Sequence, residues 1–221
     1  MIVIEFLMEA AKLKTHEEQF DYLLKHTVWG EEQPQADLFI KLLDTLNPES
    51  PSLIELGCSG TNSCYYSIHF EKRFKGKGTI VCTEPNTALL NNVRVLWKDK
   101  HLVNAKLFNC YTGDLVMAQA QWCEEFTKLP RLTIKELMDK SGLDKLDILH
   151  ADVQGSEVSI MQEMVKDKIL DKVRYYFVSL HGTHGPVQEV FDKNLNVKYH
   201  YNDPHKGGYG DGLIVAENLD Y

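Results

Sequence analysis

The sequence is poor in the features that would tie it to a membrane, a disulfide scaffold or a nucleic acid. It has no apolar run long enough to cross a bilayer. The leading stretch Met1-Ile2-Val3-Ile4-Glu5-Phe6-Leu7-Met8-Glu9-Ala10 is short, carries two acids and lacks a basic start. It reads as a helix or strand that packs on the domain, and no membrane insertion is expected. Five cysteines, Cys58, Cys64, Cys82, Cys110 and Cys123, form an odd set with no Cys-x-x-Cys spacing. That disfavours a disulfide framework or a zinc knuckle and fits a reducing, cytoplasmic setting. Basic residues are outnumbered, 24 against 32 acids for a net charge of −8, so no nucleic-acid partner is expected. Repeats, low-complexity tracts and linkers are also missing. One domain over 1–221 follows, with 1–50 a helical cap and 51–221 an α/β core.

What is present is an ordinary globular composition, 43% hydrophobic and 25% charged over 221 residues, enough for a substantial core. Thr15-His16-Glu17-Glu18 has capping-box spacing before Phe20, Leu23 and Leu24. A second helix opens near Pro34, buries Leu38, Phe39, Leu42, Leu43 and Leu46, and stops at Asn47-Pro48. Both helices are expected to cover a sheet edge, where they either only pack or also border a substrate pocket. From Ser52 onward strand and helix signals alternate. Strands are predicted at 53–56, 79–83, 106–110, 146–150, 173–180, near 197–201 and at 213–216. Helices fall at 64–74, 87–99, 133–141, 156–168 and 186–194. Alternation of this kind implies a doubly wound, mostly parallel sheet. The last two strands follow one another with only the glycine-rich loop Tyr201–Gly212 between them, so an antiparallel edge is expected.

In such sheets ligands sit beyond the carboxyl ends of the strands. The first strand ends in Glu55-Leu56-Gly57-Cys58-Ser59-Gly60, a small-residue turn of the kind that lets a nucleotide-like ligand approach backbone N–H groups. The second ends in Glu84-Pro85-Asn86, with Glu84 27 positions after Gly57. A carboxylate there accepts from both hydroxyls of a ribose; capping the next helix is its alternative role. Asp114, after the third strand, is placed to accept from an adenine amino group or to serve as a surface turn acid. Asp152 follows the fourth strand. His181-Gly182-Thr183-His184-Gly185 follows the fifth.

Thr79-Ile80-Val81-Cys82-Thr83-Glu84-Pro85-Asn86 and Leu146-Asp147-Ile148-Leu149-His150-Ala151-Asp152-Val153-Gln154-Gly155-Ser156-Glu157 resemble the two hallmark motifs of the FkbM-type S-adenosylmethionine-dependent methyltransferases. The likeness runs from about Leu53 to Leu180. It departs at Ser59 and Thr61, where the family commonly has Asn and Gly. The resemblance implies a class I methyltransferase-like (Rossmann-like) fold: seven strands, the last antiparallel, with helices ahead of them. It implies S-adenosylmethionine as cofactor and O-methylation of a sugar, glycan or small-molecule hydroxyl. Gly57, Cys58 and Ser59 would pass along the cofactor's methionine, Glu55 would reach its amino group directly or through water, and Glu84 would hold the ribose, with Gly60, Pro85, Asn86 and Asp114 also bordering the cofactor. Asp152 would lie beside the methyl group.

Methyl transfer from a sulfonium is an in-line displacement that depends mainly on positioning, and a hydroxyl acceptor also needs a base. Asp152 and His181 are the candidates, with His184 and His150 behind them; a histidine bonding backbone carbonyls is the bland alternative. His150, Asp152 and His181 or His184 also have the composition of a two-His-one-carboxylate site. The fifth strand offers no acid, which suits Mg²⁺ poorly, and no metal is expected. Two other functions remain open. An NAD-dependent oxidoreductase shares the glycine turn and second-strand acid but calls for a full Gly-x-Gly-x-x-Gly, which is missing here. A methyltransferase-like binding protein without catalysis is the other.

Overall fold

The computed structural model describes residues 33–58, 64–96, 105–114, 128–206 and 211–221. The capping-box spacing at Thr15, the turn residues Ser59 and Gly60, and most of the irregular stretch between Tyr111 and Pro130 lie outside them. In chain order the elements are α1 (Gln33–Leu43), β1 (Ser52–Leu56), α2 (Tyr65–Phe74), β2 (Thr79–Thr83), α3 (Thr87–Leu96) and β3 (Ala105–Phe108). Next come α4 (Ile134–Ser141), β4 (Leu146–Ala151), α5 (Glu157–Lys166), β5 (Val173–His181), α6 (His184–Asn194), β6 (Val197–Lys206) and β7 (Asp211–Asn218).

The strands form one sheet in the order β3-β2-β1-β4-β5-β7-β6. β1 to β5 run parallel, while β7 is antiparallel to both β5 and β6. The chain thus passes β5, forms the outer strand β6, and turns back to insert β7 between them. The antiparallel ending is as expected, but the two strands reach further toward each other than the glycines between them suggest. Pairing continues through Asp203 with Leu213 and Lys206 with Asp211, with register shifts after Tyr199 and Asp203. Bulges absorb the irregular residues that read as loop, Pro204 among them.

Alternate strand residues sort to opposite faces. Leu53, Ile80, Ile148, Tyr175, Phe177, Leu213 and Val215 share one core with α1 and α2. Ile54, Val81, Leu149, Tyr176, Val178, Ile214 and Ala216 share another with α4, α5 and α6. α1 therefore lies on a face of the sheet and not, as expected, along an edge: Phe39 meets Tyr66 edge-on at 4.8 Å and Phe177 at 5.3 Å, and β5 is an interior strand. β3 ends at Phe108 because Asn109 turns its Nδ2 to the carbonyls of Glu84 (2.9 Å) and Pro85 (3.1 Å), clamping the two strand ends together. Among the described residues no helix is long and apolar enough to cross a membrane.

Candidate active site at the carboxyl ends of the strands

The turn after β1 is fixed by close backbone approach. Gly57 has φ +74°, and a Cβ there would sit 2.1 Å from the Asp152 carbonyl oxygen. Asp152 N in turn donates to Leu56 O at 3.2 Å. Only glycine accepts both the left-handed backbone and the contact, so the ends of β1 and β4 are locked together. The first two amides of the turn, Gly57 N and Cys58 N, both donate to Thr83 O on β2 (3.0 and 3.1 Å). They are not the bare N–H groups that the sequence offers for a ligand.

Glu55 is fully buried and turned beneath this corner. Its Oε2 accepts from Ser67 N at 3.0 Å and from the Ser67 hydroxyl, while Oε1 has no hydrogen-bond partner among the described residues. Burial, reinforced by Cys82 alongside, pushes its carboxyl well above the usual range. Cys58, Cys64 and Cys82 gather at the same place as buried free thiols, and Ser67 Oγ lies 3.1 Å from Cys82 Sγ. His150, opposite Glu55 in the β1–β4 register, stacks on Tyr66 at 3.9 Å with its rings 28° apart. It lies beneath the strand ends, in the core.

At the end of β2, Glu84 is 6% exposed, and its Oε1 accepts from Asn86 N at 2.8 Å. The helix-capping role belongs to Asn86, whose Oδ1 accepts from Ala88 N (3.0 Å) and Leu89 N (3.1 Å). Pro85 links the two and offers only its carbonyl, already taken by Asn109. Asp114 is held by its backbone: its N–H donates to Ser159 Oγ at 2.8 Å, and its carbonyl accepts from Ser156 Oγ at 2.7 Å. Its carboxylate stands 83% exposed, 3.8 Å from Arg131.

The densest polar cluster joins β4, α5 and β5. His181 Nε2 lies 3.5 Å from Asp152 Oδ1 and 2.9 Å from Gln154 Nε2. His181 Nδ1 lies 2.8 Å from Glu157 Oε1. Glu157 is fully buried and also accepts from Gly155 N (2.9 Å) and Thr183 Oγ1 (2.9 Å). Burial alone would push Glu157 up, but the bonds from His181 and Gly155 outweigh it and hold the carboxyl below its ordinary range. Gln154 (φ 54°) and Gly155 (φ 103°) make the left-handed turn that swings the amide over the ring. His184 is turned away, to Asn202 Oδ1 at 2.5 Å.

The structure thus brings Asp152 and His181 together and places Glu55, Gly57 and Glu84 at neighbouring strand ends. The sequence places Gln154 and Thr183 just after the fourth and fifth strands and Glu157 at the end of the second motif, but gives none of the three a role. One local signal stood in plain view, an acid opening a helix directly after Gly155-Ser156. Its partner His181, 24 residues on, is joined to it only by β4–β5 pairing. Among the described residues no group of His, Cys, Asp and Glu is arranged to hold a metal ion.

No protein-family model matches the sequence, and no curated protein aligns with it significantly. Solved structures do match. A Klebsiella pneumoniae protein provisionally described as an O-methyltransferase superposes with a TM-score of 0.55 at 12% identity, covering 98% of this chain and 87% of that one. A Clostridium thermocellum protein provisionally described as an rRNA methylase gives 0.55 at 10% identity, with 87% and 97% covered. The precorrin-6y C5,15-methyltransferase of Geobacter metallireducens gives 0.52 at 15% identity, with 84% and 89% covered. At such identities the likeness speaks to architecture alone: the chain has the Rossmann-like fold of class I methyltransferases.

Proposed function

We propose that this protein is an S-adenosylmethionine-dependent methyltransferase of the FkbM type, acting on a hydroxyl of a sugar, glycan or small-molecule acceptor. The observation that carries the reading is the set of carboxylates at the strand ends. Glu55, Glu84, Asp114, Asp152 and Glu157 all lie within this one end of the sheet, and the first amides of the β1 turn are already spent on Thr83. A dinucleotide brings a pyrophosphate, which needs free N–H groups and tolerates acids poorly. S-adenosylmethionine brings a sulfonium and an ammonium, both cationic, and suits an acidic site.

The residues fit that group. Glu84 would accept from the ribose hydroxyls, Glu55 would meet the ammonium through the oxygen that lacks a partner, and Asp114 would accept from the adenine amino group. Gly57, Cys58, Ser59 and Gly60 would run beside the methionine, with Pro85 and Asn86 shaping the ribose side. Bound there, the cofactor supplies an electrophilic methyl group. Asp152 and His181 are the groups that would face the acceptor and take its proton.

The neighbours named above differ widely in what they are described as acting on, so the fold does not select the acceptor. Net charge of −8 and the acidic strand ends oppose an RNA backbone, which leaves an uncharged hydroxyl compound as the favoured class. Calorimetric titration tests the cofactor. S-adenosylhomocysteine should bind and NAD⁺ should not, and Glu84→Ala should weaken binding roughly ten- to a hundredfold, the worth of charge-assisted hydrogen bonds. NAD⁺ binding with no response to S-adenosylhomocysteine would overturn the reading.

A further inference from the structure

The cluster around His181 carries more than a choice between two bases. An ionised carboxylate only accepts hydrogen bonds, and an amide NH₂ only donates. Glu157 Oε1 at 2.8 Å from Nδ1 therefore requires a proton on Nδ1. Gln154 Nε2 at 2.9 Å from Nε2 requires a lone pair there. The same amide nitrogen lies 3.4 Å from Asp152 Oδ1, which supports its orientation, since a carboxylate accepts from NH₂ and repels a carbonyl. Glu157 is itself immobilised: it opens α5, is fully buried, and holds further bonds from Gly155 N and Thr183 Oγ1. Asp152 is placed differently. Its backbone is tied to Leu56 and its carboxylate shares the ring's outer edge, so an imidazolium forming there would be flanked by two acids.

We propose that Glu157 is the positioning residue of the site, fixing His181 as the Nδ1–H tautomer so that its Nε2 is the base, with Gln154 occupying that lone pair until an acceptor displaces it. The proposal rests on the methyltransferase reading. In the step it serves, Nε2 takes the proton of the acceptor hydroxyl as the oxygen bonds to the methyl carbon. The carbon–sulfur bond breaks with its electron pair left on sulfur, and the positive charge passes from sulfonium to imidazolium. Glu157 then stabilises that imidazolium as the buried acid of a serine-protease triad does. Asp152 would orient the acceptor and is not the base.

Titratable groups against the ring include Glu157 on α5 and Asp152 after β4, while His184 on α6 is turned to Asn202. The test is nitrogen NMR of the ¹⁵N-histidine-labelled full chain, with His181→Asn identifying the resonances. On the high-pH side of its titration the wild-type ring should show a protonated Nδ1 and an unprotonated Nε2. In Glu157→Gln it should lose that preference and titrate about one to three units lower. Glu157→Asp should restore the tautomer in part, and Thr183→Val should loosen it without reversing it. Thr183→Val also serves if Glu157→Gln fails to fold. A wild-type ring protonated on Nε2, or averaging between tautomers, would overturn the proposal. Since the ring is read without added cofactor, failure here is distinguishable from failure of the methyltransferase reading, which the titrations with S-adenosylhomocysteine decide independently.

Discussion

Glu55 shows how one buried carboxyl ties stability to pH. It sits fully buried with one oxygen on Ser67 and the other without a partner among the described residues. Ionising it there costs desolvation, so its proton is held well above the pH at which an unfolded glutamate releases it. The consequence for stability has a definite sign. Below about pH 4.5 both states are protonated and nothing is lost. As pH rises toward the folded-state value, the unfolded chain ionises and the folded one does not, so stability falls. Glu55→Gln removes that dependence. Its melting temperature should exceed the wild type's at pH 8 by more than at pH 5, by about 2–4 °C for each kcal/mol recovered, as read by thermal melts across pH. The same variant should bind S-adenosylhomocysteine more weakly, because an ammonium placed beside Glu55 would favour its ionised form and pair with it, whereas an amide cannot ionise. Equal melting curves at both pH values would refute the account.

At the scale of elements, local chemistry explains what sequence alone conveyed and what it did not. α4 was legible because all its signals are its own: Thr133 Oγ1 accepts from Glu136 N at 3.0 Å, Glu136 Oε2 accepts from Thr133 N at 2.8 Å, and Gly142 closes the helix with φ 72°. Thr133→Ala should accordingly cost about 1 kcal/mol in urea denaturation and leave ligand binding unchanged, since α4 contributes nothing to the strand-end cluster. The Glu84–Asn86 turn was half legible. The acid and the helix start both showed, but which of them caps depends on where β3 ends, and that is settled by Asn109 across the sheet. The extension of β6 and β7 was hidden for the same reason. Glycine and proline read as loop until the partner strand supplies the hydrogen bonds that a bulge retains. Glu157 and His181 are the extreme case, two ordinary residues made into one unit by strand pairing alone.

Across the whole molecule, support for the site runs from one layer to the next. Phe39 on α1 presses on Tyr66 of α2, Tyr66 stacks on His150 of β4, and two residues on Asp152 backs against Gly57. α1 is therefore part of the floor beneath the strand ends. Stability and binding should separate along this path. Truncating Phe39 to Ala leaves a cavity in a packed aromatic group and should cost about 3–5 kcal/mol, lowering the melting temperature substantially. A ligand that binds only the folded state adds RT ln(1 + [L]/Kd), about 2.7 kcal/mol at a hundredfold excess over Kd, or on the order of 5–10 °C for a chain of this size. Phe39→Ala should keep most of the S-adenosylhomocysteine-induced shift, measured at the same multiple of its own Kd, because the strand ends are still formed. Glu84→Ala should melt near the wild type but show little shift at the wild-type ligand concentration. If Phe39→Ala instead loses the shift while Glu84→Ala retains it, the ligand lies against α1 and not at the carboxyl ends of the sheet.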